Sequence, residues 1–339
     1  MKLKSLSFVV FGAMLGLLAL RPAQGAGNRV SMLYVGNVGG DDVSVINLNT
    51  MKVAGDIKVG YKPHGLAASP DGRLLFVTVE SDNTLKEIDT ATGKIVRTMK
   101  LSATPNEPAI TPNGKFLAIP IRTGGAIDIV NVPEFKIVKV VPLDFPHNCV
   151  NSGSNEDFYC ESRGLGTVDR IDLRTLSDVD TVPVDGDPRP FEVTRDEKTM
   201  FVQVTDMHGF NVVDVPTRKI VRWVHLPPTS ERNLVEPMTP SHGMAISPDG
   251  KELWVADSMD HTVYVYDIAT HKLTRKIVVG KTPLWIAFSA DGKYCCVSTP
   301  GSNQVSIINA KTYREVARLN VGKLPKRLAT AAVPAAMGN

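Results

Sequence analysis

Seven prolines recur at an almost constant interval. Pro63, Pro105, Pro146, Pro188, Pro240, Pro283 and Pro325 lie 42, 41, 42, 52, 43 and 42 residues apart. A period of this length describes one supersecondary unit repeated, each unit too small to bury its own apolar face and stable only against its neighbours. Most of the prolines precede a short apolar segment and then a turn, as at Pro70-Asp71-Gly72, Pro112-Asn113-Gly114, Pro248-Asp249-Gly250 and Ala290-Asp291-Gly292. Proline presets φ at the first corner, Asp or Asn bonds its own backbone, and Gly takes the positive φ that closes the hairpin. A second strand follows at once, as in Leu74-Leu75-Phe76-Val77-Thr78 and Leu253-Trp254-Val255-Ala256. A third alternates and ends on Asp or Asn, as in Val263-Tyr264-Val265-Tyr266-Asp267. A fourth is led in by Thr and a basic residue, as in Thr92-Gly93-Lys94-Ile95-Val96. β-Branched residues at period two specify strand throughout.

Four short strands per repeat make the blade of a β-propeller, which disposes of exposed sheet edges by radial repetition. Six prolines open complete blades. The seventh opens a lone strand, and three N-terminal strands lack an inner partner. The expected fold is therefore all-β: a seven-bladed propeller of four-stranded antiparallel blades, closed by pairing the N-terminal strands with the C-terminal strand. It forms one domain over residues 26–330, followed by an Ala-rich flexible tail over 331–339. Two blades depart from the turn pattern, blade 4 with Ser152-Gly153-Ser154-Asn155 and blade 5 with Arg195-Asp196-Glu197-Lys198.

The first residues read as an export signal. A basic start with Lys2 and Lys4 precedes an apolar run over residues 6–20, too short for a membrane span, and Ala23 and Gly25 fit a cut ahead of Ala26. The expectation is a periplasmic or secreted protein with a signal peptide over residues 1–25 and no membrane span. The chain has 38 Lys and Arg against 35 Asp and Glu, and Lys2, Lys4 and Arg21 fall in the leader, so the remainder is balanced. That balance argues against nucleic-acid binding, which favours a basic excess. The four cysteines show neither a zinc spacing nor the Cys-x-x-Cys-His of covalent heme. Cys149 and Cys160 fall on neighbouring strands of blade 4 and are the expected disulfide. Cys295 and Cys296 point to opposite faces of one strand and cannot be joined.

Residues 62–77, Lys-Pro-His-Gly-Leu-Ala-Ala-Ser-Pro-Asp-Gly-Arg-Leu-Leu-Phe-Val, are echoed at 242–255, and blade 1 carries Tyr34-Val35-Gly36-Asn37. On these motifs the chain resembles the YVTN-repeat (YncE-like) propellers over essentially its whole length after the leader. The resemblance implies a seven-bladed propeller similar to those of nitrous-oxide reductase and quinoprotein amine dehydrogenases, in a group that contains enzymes and electron-transfer partners alike.

In a propeller each innermost strand starts at the mouth of the central channel. Aligning the blades on their prolines places His64, Asn106, His147, Arg189, His242, Leu284 and Lys326 in one ring, with Glu107, Asn148, Trp285 and Arg327 beside them. Loops between second and third strands add Glu80, Arg122, Glu161, Arg163, Asp206, His208 and Asp257 to the rim. Two chemistries compete for this ring. His64, His147 and His242 are the donor type for a transition metal such as copper or zinc, with Glu107 or Glu161 as the base of a metal-dependent lyase, lactonase or oxidoreductase. A ring of His carries copper at the propeller mouth of nitrous-oxide reductase. The same histidines could instead cap the channel on neighbouring carbonyls, leaving Arg189, Arg327, Asn106, Arg122, Arg163, Asp206 and Trp285 to hold an anionic small molecule. The one sizeable insertion, over residues 227–239, is read as a lid or a loop that docks a partner protein, such as a redox enzyme, or as disorder.

Overall fold

The computed structural model describes residues 29–205, 207–229 and 239–334. The signal peptide expected over residues 1–25, Asp206, the greater part of the 227–239 insertion and residues 335–339 lie outside the described residues.

Seven four-stranded antiparallel sheets form the blades, each running in chain order from the axis outward. The first is closed as expected: Pro325–Pro334 is its innermost strand and pairs along its length with Arg29–Asn37, so Arg29 faces Pro334 and Gly36 faces Arg327. Residues 331–334, expected as the start of a flexible tail, pair with the N-terminal strand instead. The other innermost strands are Pro63–Ala68, Ala109–Ile110, Pro146–Val150, Pro188–Val193, Ser241–Ile246 and Trp285–Phe288. They pack in a ring, each against the innermost strands of the two adjacent blades. Blade 3 is irregular here. Its innermost strand shrinks to two residues, since Pro105 and Pro108 lack N–H donors, and the entry segment is held by bridges from Pro105 to Ile121 and from Glu107 to Asn148 of blade 4. Among the described residues the only helical element is a 3₁₀ turn at Pro300–Ser302, and no helix is long and apolar enough to cross a membrane.

The core is seven interfaces rather than one. Each apolar cluster joins two neighbouring blades: Leu75 and Val77 pack against blade 1, while Phe76 between them packs against blade 3. Strict alternation along the two middle strands sends successive side chains into opposite interfaces. Cys295 lies in the interface with blade 6 and Cys296 in the interface with blade 1, which keeps these two buried thiols apart. Outer strands such as Lys52–Lys58 have only one neighbour and are mostly exposed. Each fully buried aromatic or aliphatic side chain contributes about 1.5–3 kcal/mol.

On the face away from the mouth, the turn between first and second strands is held by one device. Ser69 Oγ donates to Asp71 Oδ1 and accepts from the Leu74 N–H, at 2.6 and 2.9 Å. The same pair of bonds recurs at Thr111/Asn113, Ser247/Asp249 and Ser289/Asp291. Blade 5 keeps it too, through Thr194 and Asp196, with Glu197 at φ 55° in place of the glycine. Its turn differs in sequence but not in hydrogen bonding. Glu197 then serves blade 4, accepting from Ser152 Oγ at 2.6 Å and Tyr159 Oη at 3.1 Å. Blade 4, where the turn pattern is lost, carries the Cys149–Cys160 disulfide between directly opposed residues. Replacing both cysteines with serine is expected to lower the free energy of unfolding by about 2–3 kcal/mol, measured by urea denaturation without reductant. An unchanged midpoint would show that the interfaces alone hold blade 4.

Candidate functional site

The mouth residues are aimed inward by an irregularity shared by five blades. Register slips between Pro63 and Gly65, Pro146 and Cys149, Pro188 and Phe191, Ser241 and Met244, and Pro325 and Arg327. The residues inside these bulges are His64, His147, Arg189, His242 and Lys326. A bulge frees a residue from the ladder and re-aims its side chain, here towards the axis. Glycine makes the crowding possible. A Cβ on Gly65 would stand 2.4 Å from Pro108 Cδ, and one on Gly243, at φ 90°, would stand 2.3 Å from the Leu284 carbonyl oxygen.

Each imidazole is pinned through Nδ1. That of His64 meets Glu80 Oε1, itself 3.3 Å from Arg122; that of His147 lies 2.8 Å from Glu161 Oε1; that of His242 donates to the Leu284 carbonyl at 3.2 Å. His242 thus behaves as the channel-capping alternative requires. His64 and His242 leave Nε2 buried and without a partner. The His147 and His242 rings meet edge to face at 6.1 Å, and His242 leans on Trp285 at 5.7 Å. Arg327 is wholly buried at the centre. Its guanidinium stacks 3.7 Å over Trp285, Nη2 reaches Asn106 Oδ1 at 3.3 Å and Asn148 Oδ1 at 3.4 Å, and Nε lies 3.4 Å from Glu107 Oε2.

Burial and crowded cations set the charges. His64 is pushed down to about 3 by burial and by Lys326 and Arg327, against its bond to Glu80. His147 and His242 are driven well below the usual imidazole range by burial and then by Arg327 and Arg189. All three are neutral. Burial raises Glu107 to about 8 against the pull of Arg327 and Lys326, and raises Glu161 strongly against Arg163, Arg327 and Arg189. Burial thus favours the protonated form of both carboxyls. The cations lower one another: Arg189 falls to about 10 through burial, Arg163 and Arg327, and Lys326 to about 7 through burial, Arg327 and Arg189. Glu80, by contrast, is held at about 2, where the bond to His64 and the charges of Arg122 and Lys326 outweigh burial.

The structure brings together His64, His147, His242, Asn106, Glu107, Glu161, Arg189, Trp285 and Arg327. It places Arg122 and Arg163 at the rim, engaged by Glu80 and by Asp187 at 2.5 Å. His208 is tied there to Asp257 at 2.6 Å. Gln203 is the residue that sequence reasoning missed. It faces the Arg189 bulge across blade 5, and both polar atoms of its amide are buried without partners. Its signal was a polar side chain in the otherwise apolar run Met200–Val204 of the strand Thr199–Val204. Most of the partnerless buried side-chain polar atoms among the described residues belong to this one cluster, whereas buried polar groups ordinarily pair.

Residues 115–335 match the profile of the cytochrome D1 heme domain family. The chain belongs to this family. No curated protein matches it. Among solved structures it is similar to dihydro-heme d1 dehydrogenase NirN in complex with DHE, at TM-score 0.64 and 14% identity over 90% of this chain and 76% of that one. It is similar to hydrazine synthase of Kuenenia stuttgartiensis at TM-score 0.52 and 19% identity, over 73% and 95%. It is also similar to a functionally unknown protein from Desulfotomaculum acetoxidans DSM 771 at TM-score 0.71 and 16% identity, over 90% and 99%. At such identities the likeness is one of fold. The resemblance to YVTN-repeat propellers holds at the same level, the seven-bladed architecture, and the family that the profile shows is the cytochrome D1 one.

The family name makes heme the cofactor to test against these residues. An imidazole that ligates a macrocycle must present an open nitrogen to it, but His64, His147 and His242 are 2%, 2% and 0% exposed, beside a fully buried Arg327. As folded, the ring does not accommodate a heme on these imidazoles. Nor do any three His, Cys, Asp or Glu groups among the described residues form a set that could hold a metal ion. The neutral state of the imidazoles is directly observable. In ¹⁵N-edited NMR the His64 ring is expected to stay neutral down to about pH 4, and the stability it contributes is full above its unfolded value near 6.5 and is lost as pH falls towards 3. A ring that charges between pH 6 and 7 would overturn this description of the mouth.

Proposed function

We propose that this chain is an exported binding module whose channel mouth holds a small anion, a carboxylate that also carries hydroxyl groups. One observation carries the reading: Arg327 is buried beside Arg189 and Lys326, whose proton affinity falls through burial and then through its charge, while burial raises the nearby carboxyls of Glu107 and Glu161. An anion relieves that repulsion through charge-assisted, forked bonds. The partnerless Nε2 atoms of His64 and His242 supply acceptors for hydroxyl donors, and the Gln203 amide supplies both kinds of group. Arg189 and Lys326 are half-buried and within reach of solvent, with Arg327 beneath them.

Binding should follow the charge of Lys326. With its proton affinity at about 7, the ammonium is present below that pH and lost above it, so affinity for malate or citrate is expected to fall as pH rises from 6 to 8. Lys326→Met should weaken binding roughly tenfold or more at pH 6 and flatten the profile. Calorimetry that finds no carboxylate binding, or a profile unmoved by Lys326→Met, would refute the anion site.

Copper or zinc on His64, His147 and His242 is the second reading, favoured by His64 and His242, each fixed through Nδ1 with Nε2 uncommitted as in ligating histidines. It requires the three rings to move, since as folded they form no metal-holding set. Three neighbouring cations oppose it, because they penalise a divalent ion as they favour an anion. Stoichiometric metal in the purified protein that disappears in His64→Ala and His242→Ala would establish it in place of the anion.

Export is proposed from the leader pattern, and the Cys149–Cys160 bond supports an oxidising compartment. N-terminal sequencing of protein from the periplasm or medium is expected to begin at Ala26; a mature protein that retains Met1 would exclude it. The partner face would be the rim beside His242, where Thr239 and Pro240 lead into the strand Ser241–Ile246, and the partner a redox enzyme, the class to which NirN belongs by its name.

A further inference from the structure

The channel has a second chamber, below the Arg327 layer and on the opposite face from the mouth. It is a cavity of about 280 Å³, lined by apolar side chains that include Ala109, Phe191, Met244 and Trp285 and by the polar groups of Glu107, Asn148, Asn151 and Glu192. Into it projects Glu192, the fifth residue of the blade 5 innermost strand Pro188–Val193. Asn151 and Glu192 also line a larger groove of about 630 Å³ that runs between blades 4, 5 and 6 at the turn face. The carboxyl therefore stands at the threshold between the groove and the channel.

Glu192 differs from every other carboxyl near the axis. Glu80 has His64 and Arg122, Glu107 has Arg327, and Glu161 has His147. Glu192 makes no hydrogen bond or ion pair among the described residues, and Arg195 at the groove lip forms none with it. Glu192 is partly exposed where the groove opens, and the turn hydrogen bonds of blade 5 are made by Thr194 and Asp196 without it. We propose that this chamber is a binding site for a small organic cation, a primary or substituted amine whose ammonium pairs with Glu192 and whose alkyl part lies against Phe191, Met244 and Trp285. The walls suit a short alkyl chain, and the volume limits the ligand to a small molecule. Glu192 is raised to about 8 by burial alone, so it is largely protonated before binding and gives up that proton when an ammonium pairs with it.

The chamber shares Glu107, Asn148 and Trp285 with the cluster around Arg327, and one experiment separates its ligand from the anion at the mouth. Calorimetry of the full mature protein would compare n-butylamine with n-butanol and butyrate, in the wild type, Glu192→Gln and Lys326→Met. The amine is expected to bind the wild type, and Glu192→Gln to weaken it roughly 10- to 100-fold. Lys326→Met should leave amine binding unchanged, whatever becomes of carboxylate binding at the mouth. Should Glu192→Gln fold poorly, the ¹³C carboxyl signal of Glu192 in the wild type gives a second readout, since it should move to the ionised position as the amine is added. Equal binding of amine and alcohol, amine binding retained in folded Glu192→Gln, or a Glu192 signal that does not move would each overturn the proposal.

Discussion

Pairing of Pro325–Pro334 with Arg29–Asn37 is the contact on which the rest of the molecule depends. A blade cannot bury both its faces alone, so each of the seven apolar clusters exists only if its two blades are held side by side. Opening the ring would expose the faces of blades 1 and 7 or 2 together. It would also remove Lys326 and Arg327, which the closing strand carries to the axis. The strand that seals the fold is thus the strand that brings the central charge to the site.

That coupling explains the electrostatics of the mouth. Arg327 is fully buried, a costly position for a cation, and its compensation is only partial: long contacts to Asn106, Asn148 and Glu107 and a stack on Trp285. The imidazoles around it give up charge, and so do Glu107 and Glu161. Charge is kept where opposite partners stand in contact at the rim, as in Glu80 with Arg122 and Arg163 with Asp187. Depth in the channel shifts the carboxyls and imidazoles towards their neutral forms, while the guanidinium of Arg327 remains the central charge. The same rule gives the chamber below its character, since Glu192 meets burial with no cation to offset it.

Parts of the site were legible from the repeat alone. Aligning the prolines put His64, His147, His242, Arg189 and Lys326 at one position, and they do converge. What the alignment could not show is why. Each sits in a bulge, and a bulge is a matter of two residues on one strand facing one on the next, which depends on the register of both. Gln203 was overlooked for the same reason, being an ordinary strand residue until the Arg189 bulge is placed opposite it. In blade 5, Arg195-Asp196-Glu197-Lys198 departs from the turn pattern in sequence, yet Thr194 and Asp196 reproduce the hydrogen bonds of the Pro-Asp-Gly blades. The bonding needs a hydroxyl and a carboxylate two residues apart, and the glycine only eases the backbone.

The sequence by itself determined the blade count, the closure by tail and head, and the Cys149–Cys160 bond, because these follow from period, alternation and strand adjacency, all of which are local or repetitive. Tertiary structure alone decided which groups burial shifts, which imidazole nitrogens are free, that the three mouth imidazoles are buried, and that Glu192 stands unpaired at the edge of a chamber. Those properties arise from what six other blades contribute to one axis, and the free energy of a charge depends on all of its surroundings at once rather than on its neighbours in the chain.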